Sequence, residues 1–181
     1  GKRPAAAHYE PDNIVINLTK KGGAGSLAHE WWHGVDNYFS RMRGEGNKFV
    51  TDAPRPLRVR RDGMFLDDDS VRPELLEKFA GVMEAINKSG LRKRSLEQDK
   101  KRSKKYWSTP IEMSARSFES FVIRQLELKD ITNDYLANIS TYTGNADYPY
   151  PTPEEAEAID QAFMGVVEEL KTKETDEGKI A

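Results

Sequence analysis

The chain holds 181 residues, 37% of them apolar and 32% charged, with 28 Lys+Arg against 30 Asp+Glu and no cysteine. That length and balance predict one globular domain, and the missing cysteine excludes a disulfide framework, a thiolate-held metal and a cysteine nucleophile. Any metal must then be held by Asp, Glu or one of three histidines, His8, His29 and His33.

Gly1 opens the chain without a signal-peptide pattern after it, and the most apolar stretch, Phe118 to Leu128, carries Glu119, Arg124, Gln125 and Glu127. The expectation is a soluble, cytoplasmic protein with no membrane span. Ile14 to Leu18, behind the turn-forming Pro11-Asp12-Asn13, reads as a short strand, and the glycine-rich residues 20–25 break it. From Ser26 to about Arg43, Ala28, Trp31, Trp32, Val35, Phe39 and Met42 recur at helical spacing and predict one buried face. Residues 44–72 are rich in Gly, Pro, Arg and Asp and read as an irregular excursion or lid.

Pro73 opens a second helix, with Leu75, Leu76, Phe79, Val82, Met83 and Ile86 on one face and Gly90 at its close. Residues 91–105 hold eight Lys/Arg against Glu97 and Asp99. Thr109-Pro110 starts a third helix to about Leu128, with Ile111, Ala115, Phe118, Val122 and Leu126 inward. Residues 130–151 read as a surface-hugging loop anchored by aromatics, and Thr152-Pro153-Glu154-Glu155 starts a last helix that buries Ala156, Ile159, Phe163, Val166, Val167 and Leu170. The sum is a mostly helical α+β domain over residues 1–173, with a small N-terminal sheet or edge strand and a disordered tail over 174–181.

His29-Glu30-Trp31-Trp32-His33 fits the H-E-x-x-H pattern of zinc-dependent hydrolases. On a helix the two imidazoles lie roughly 40° apart around the axis and about 6 Å along it, so one ion can bridge them. Glu30 falls on the flank, where it can act as a base on a metal-bound water. The apolar stripe is centred on another side, which predicts that the histidines point off the core into a cleft or solvent. Two ordinary helix histidines are the competing reading.

Zinc catalysis usually needs a third protein ligand. Phe39 and the absence of cysteine remove two sources, and His8 precedes the strand. Glu112, with Glu119 on the same face, is the best-placed carboxylate. Yet Thr109-Pro110-Ile111-Glu112 is also a capping box, in which Glu112 would reach back to the Thr109 amide, so the residues alone leave its role balanced. Asp36 reads either as a group orienting an imidazole or as a plain helix-surface acid, with the second favoured.

His29 to Tyr38, followed by Tyr106 to Glu119, resembles the gluzincin arrangement of the anthrax lethal factor catalytic domain. The resemblance implies that Glu112, two residues before Ser114-Ala115, is the third zinc ligand, and that Tyr106 is an oxyanion-assisting tyrosine, one residue closer to the glutamate than in that pattern. His8 to Lys20 and Gly23 to His33 also resemble the large polyvalent protein-associated domains of phages and conjugative elements. This implies a zincin-like fold, a mobile-element origin, delivery into a host or recipient cell, and a domain cut from a longer protein.

The expected function is a zinc metalloendopeptidase with Zn2+ on His29, His33 and Glu112, Glu30 as base and Tyr106 assisting, acting on a protein or peptide laid along the Val15–Leu18 strand. The alternative is a non-hydrolytic module that keeps a metal for stability or binds a partner. Residues 91–105 offer a weak nucleic-acid contact, or they face the acidic residues 152–181.

Overall fold

The computed structural model describes residues 7–19, 23–170, 173–175 and 178–180, and the side chains of 59, 61, 65 and those beyond 170 are left out. The architecture is mixed α+β and mostly helical, with five α-helices and three separate two-stranded sheets among these residues. β1 (Ala7–Glu10) and β2 (Val15–Leu18) form an antiparallel hairpin with Ala7 opposite Leu18 and Glu10 opposite Val15. The predicted strand thus has a partner whose sequence gave no sign of one, and Ile14 turns the chain at positive φ instead of starting the strand. Of the predicted glycine-rich break, residues 20–22 lie outside the described residues.

α1 (Leu27–Met42) follows, and its N-terminus has no side-chain cap. The backbone supplies one: the Gly25 and Ala28 N–H groups donate to the Tyr135 and Leu136 carbonyls, and Asn138 N–H returns a bond to the Gly25 carbonyl. Gly25 sits at φ 86, and an added Cβ would lie 2.7 Å from the Asn138 side chain, so this close approach needs glycine.

Trp32 is the hinge of the core. Its ring packs on Phe79, Phe118 and Phe163, and its indole N–H donates to Ser114 Oγ at 3.0 Å. The predicted inward face is too wide, because Trp31 and Met42 are 43% and 44% exposed. The reason is a second buried face: Glu30, His33, Asp36, Asn37 and Ser40 are all buried, and they leave only the 31, 38, 42 stripe to solvent.

That polar face holds the excursion in place. Asn37 Nδ2 donates to the Gly46 and Lys48 carbonyls, Ser40 Oγ to Glu45, and Arg43 to Ala53 and Arg55. A buried 3-10 turn at Val50–Asp52 then packs between α1 and two later helices. Residues 58–67 are more regular than expected: β3 (Arg58–Arg61) and β4 (Met64–Asp67) pair antiparallel around Asp62-Gly63, both at positive φ as a two-residue hairpin loop requires. This hairpin packs on no other element among the described residues, so the part of the predicted lid that meets α1 is 45–55.

α2 (Pro73–Lys88) buries the six predicted residues. The basic stretch contains an unexpected helix, α3 (Leu91–Asp99), anchored by buried Leu91 and Ser95. α4 (Pro110–Glu127) is buried on every side from Met113 to Phe121, whereas predicted Ile111, Val122 and Leu126 are half-buried. Ser117 and Ser120 return their hydroxyls to carbonyls one turn back, which lets a helix with so many polar residues sit in the interior. α5 (Pro153–Glu169) packs on α2, with Ala156, Ile159, Phe163 and Val166 inward and Val167 exposed.

The tyrosine-proline loop before α5 is pinned as expected: Arg94 donates to the Tyr148 and Tyr150 carbonyls, Gln98 to Asp147, and Tyr148 OH to Ser140. Where a disordered tail was expected, β5 (Lys173–Thr175) and β6 (Gly178–Ile180) pair as a short hairpin, and the rest of that tail lies outside the described residues. No described helix is long and apolar enough to cross a membrane.

Candidate metal centre

Two helices build the site. α1 contributes His29, Glu30 and His33 from its first two turns, and α4 contributes Glu112 from its first and Glu119 two turns on. His29 Nε2 lies 3.4 Å from Glu112 Oε2, and His33 Nε2 lies 3.7 Å from Glu112 Oε1. The three donor atoms all fall within 4.8 Å of one another.

The capping alternative for Glu112 is resolved by comparing two helices. In α5 the box is complete, with Thr152 N–H donating to Glu155 Oε2 at 2.9 Å. In α4 only the threonine half forms: Glu112 N–H reaches Thr109 Oγ1, while Thr109 N–H is taken by the Tyr106 carbonyl. The Glu112 carboxylate is therefore released from the cap and turns to the histidines. Glu119 is not equivalent to it, because it lies 3.7 Å from Nδ1 of His29, on the far side of the ring from Glu112. A carboxylate there fixes the ring orientation and makes the opposite nitrogen a stronger donor.

The electrostatics follow from burial and pairing. Burial disfavours a charged His29, but the Glu112 and Glu119 carboxylates outweigh it and push its pKa up to about 9. His33 moves the other way, to about 4, through burial and its cationic neighbour His29. Burial works against ionised Glu112, yet His29 and His33 hold it below the usual carboxylate range. Burial raises Glu30, which is 7% exposed, against the lowering pull of His29 and of the Tyr9 backbone in β1.

The donor set fits a zinc ion. Two imidazole nitrogens and a carboxylate oxygen are a common zinc ligand set, and their spread of up to 4.8 Å closes to the roughly 3.4 Å of a tetrahedral shell with small side-chain shifts. Glu112 Oε2 is also buried with no hydrogen-bond partner. Such an atom is costly unless something else satisfies it, and a cation between it and the imidazoles would do so.

Tyr106 is brought to the same place, 36% exposed, with its hydroxyl near enough to help hold Glu112 down. Two residues that were not singled out in the sequence hold it there. Asp99, at the end of α3, accepts the N–H groups of Tyr106, Trp107 and Ser108, each at 2.9 Å, and the Ser108 hydroxyl at 2.6 Å. Arg116, one turn after Glu112, donates to the Trp107 and Pro149 carbonyls and to Ser95 Oγ. The i+4 spacing from Glu112 was a legible signal for Arg116, whereas nothing in the local sequence marks Asp99.

Three expectations change. Asp36 neither orients an imidazole nor lies on the surface: it is fully buried and accepts from the Thr51 N–H at 2.9 Å and, through its other oxygen, from the Thr51 hydroxyl. The histidines leave the aromatic core but are covered, His33 by Phe49 with ring centroids 5.8 Å apart, because the excursion folds back over them. His8 stays on the hairpin, bonded to Glu10 at 2.8 Å, outside the donor set.

Residues 98–174 match the family model of large polyvalent protein-associated domain 1. This is less than half of the chain; it takes in Asp99, Tyr106, Glu112, Arg116 and Glu119 and leaves out His29 to His33, where the sequence resemblance was also drawn. No curated protein and no solved structure matches the chain significantly.

Proposed function

We infer that the domain is a zinc-dependent metallopeptidase of gluzincin type on a zincin-like scaffold, working within a polyvalent protein of a phage or mobile element. The observation that carries this reading is the convergence of His29, His33 and Glu112 within 4.8 Å beside a second carboxylate, Glu30, that is not in the donor set. A site built only to hold a metal needs no base on its flank.

A zinc ion held by His29, His33 and Glu112 would supply a Lewis acid for the scissile carbonyl and would acidify a water molecule. Glu30 takes a proton from that water as its oxygen adds to the carbonyl carbon, and returns the proton to the amide nitrogen as the C–N bond breaks. The upward shift that burial gives Glu30 brings it toward the pH at which both transfers are easy. Tyr106 places a hydroxyl donor at the edge of the donor set, where it serves the oxygen that gains negative charge. The polyvalent-protein origin rests on the family match to residues 98–174.

One observation favours a second reading, a non-hydrolytic zinc module: Glu30 is almost wholly buried, on a helix that packs against the hairpin strand β1. Metal analysis and peptide hydrolysis separate the two. Wild type is expected to hold one zinc and His33→Ala to lose it, while Glu30→Gln keeps zinc and loses hydrolysis by at least about a hundredfold. Equal zinc in wild type and His33→Ala refutes the metal site; zinc-replete wild type that cleaves no peptide leaves the non-hydrolytic module.

A further inference from the structure

The side chains around the donor set differ in exposure. Glu30 and His33 are covered by β1 and by Phe49, and Tyr106 is the most exposed of the side chains that meet Glu112. Over its ring lies Arg102, with Cζ 4.9 Å from the ring centroid.

Arg102 belongs to the run Lys100-Lys101-Arg102-Ser103-Lys104-Lys105, which contains no acid. Lys100 and Lys101 are neutralised by Glu97 at 2.7 Å and Asp147 at 3.3 Å. Arg102, Lys104 and Lys105 are exposed and have no ion-pair partner among the described residues. Nor is the segment a free tail. It runs from the end of α3 to the turn that Asp99 ties down through three backbone N–H groups, so it is anchored at both ends and meets Tyr106 at its close.

We propose that Arg102, Lys104 and Lys105 form the substrate rim of this site and select peptides that carry Asp or Glu close to the scissile bond. This names a substrate class for the metallopeptidase reading and rests on it. Three uncompensated cations at one opening raise the local concentration of anionic segments, and a guanidinium laid against an aromatic ring still presents its edge to a carboxylate for paired hydrogen bonds. A nucleic-acid strand suits the rim less well, since three cations are few beside the roughly six to ten phosphate contacts of a tight DNA binder.

The test incubates the zinc-loaded full chain with a proteome-derived peptide library at low ionic strength and reads the cleaved sites by mass spectrometry. Acidic residues are expected to be enriched within about three positions of the cut, a span of about 10 Å over which exposed charges still act. In the triple variant Arg102→Ser, Lys104→Ser, Lys105→Ser the enrichment should fall roughly tenfold, as three exposed pairs imply, with zinc content equal to wild type. Cleavage without acidic enrichment, or enrichment that survives the triple substitution, overturns the rim and leaves the metallopeptidase standing. No cleavage at full zinc occupancy removes both. Tight binding of single-stranded DNA that the triple variant abolishes, alongside cleavage indifferent to acidic residues, assigns the cations to nucleic acid and overturns the proposal.

Discussion

Asp99 is buried, which alone would raise its pKa, yet the Ser108 hydroxyl and the Tyr106, Ser108 and Trp107 N–H groups hold it down at about 2. Four donors on one carboxylate fix the backbone immediately before α4, and so fix where the Tyr106 ring leaves the chain. Asp99 is thus a positioning residue for the hydroxyl beside Glu112, the proposed third metal ligand. Losing such an outer contact typically weakens metal binding by about tenfold or more. Zinc affinity, measured by competition with a chelator, should drop by about that factor in Tyr106→Phe and in Asp99→Asn, and no further in the double variant. Losses that multiply in the double variant would show that Asp99 acts independently of Tyr106. The same residue marks the limit of sequence reading. His29, Glu30 and His33 announce themselves by spacing, but Asp99 acts on backbone groups seven to nine residues away, a relation that leaves no side-chain pattern.

At the scale of elements, proline at the first helical position made three helix starts legible, at Pro73, Pro110 and Pro153. α3 was missed because a nine-residue helix with only Leu91 and Leu96 as large apolar residues has no periodic stripe. The β3–β4 hairpin had a signal in Asp62-Gly63, but its flanking residues lack clean alternation. Glu112 was undecidable because one sequence serves both a cap and a ligand, and only the position of α1 beside α4 separates them.

The excursion depends on one element contact in particular, that of Asp36 with the Thr51 turn. Burial, opposed by hydrogen bonds from Thr51 and Val50, pushes Asp36 up to about 7 from an ordinary 3.8. The folded state therefore keeps a proton that the unfolded chain releases. The associated stability is present at low pH and is lost as pH rises from about 4 through about 7, at up to roughly 1 kcal/mol per unit. Asp36→Asn preserves the shape and can still pair with Thr51. Denaturant midpoints at pH 5, 6.5 and 8 should fall less steeply for this variant than for wild type, and parallel slopes would refute the link.

At the scale of the whole molecule, the family-matched stretch 98–174 and the preceding hundred residues share one interior. Phe163 and Phe118 close on Trp32, α5 lies against α2, and Arg94 meets Glu155 at 2.6 Å. The basic and acidic segments thus face each other in part, as their opposite charges allowed. A fragment of residues 98–174 would expose the aromatic surface that Trp32 and Phe79 cover. It is expected to lack a cooperative thermal transition by circular dichroism, whereas the full chain has one. A sharp transition in the fragment would show that the matched stretch is an independent folding unit.

The carbonyls of Tyr135 and Leu136 that close the start of α1 belong to a loop made more than a hundred residues after it. During synthesis, the helix bearing both histidines leaves the ribosome with its N-terminus unsatisfied and its third donor not yet made. The cluster of His29, His33 and Glu112 then forms only when the second half of the chain folds back onto the first.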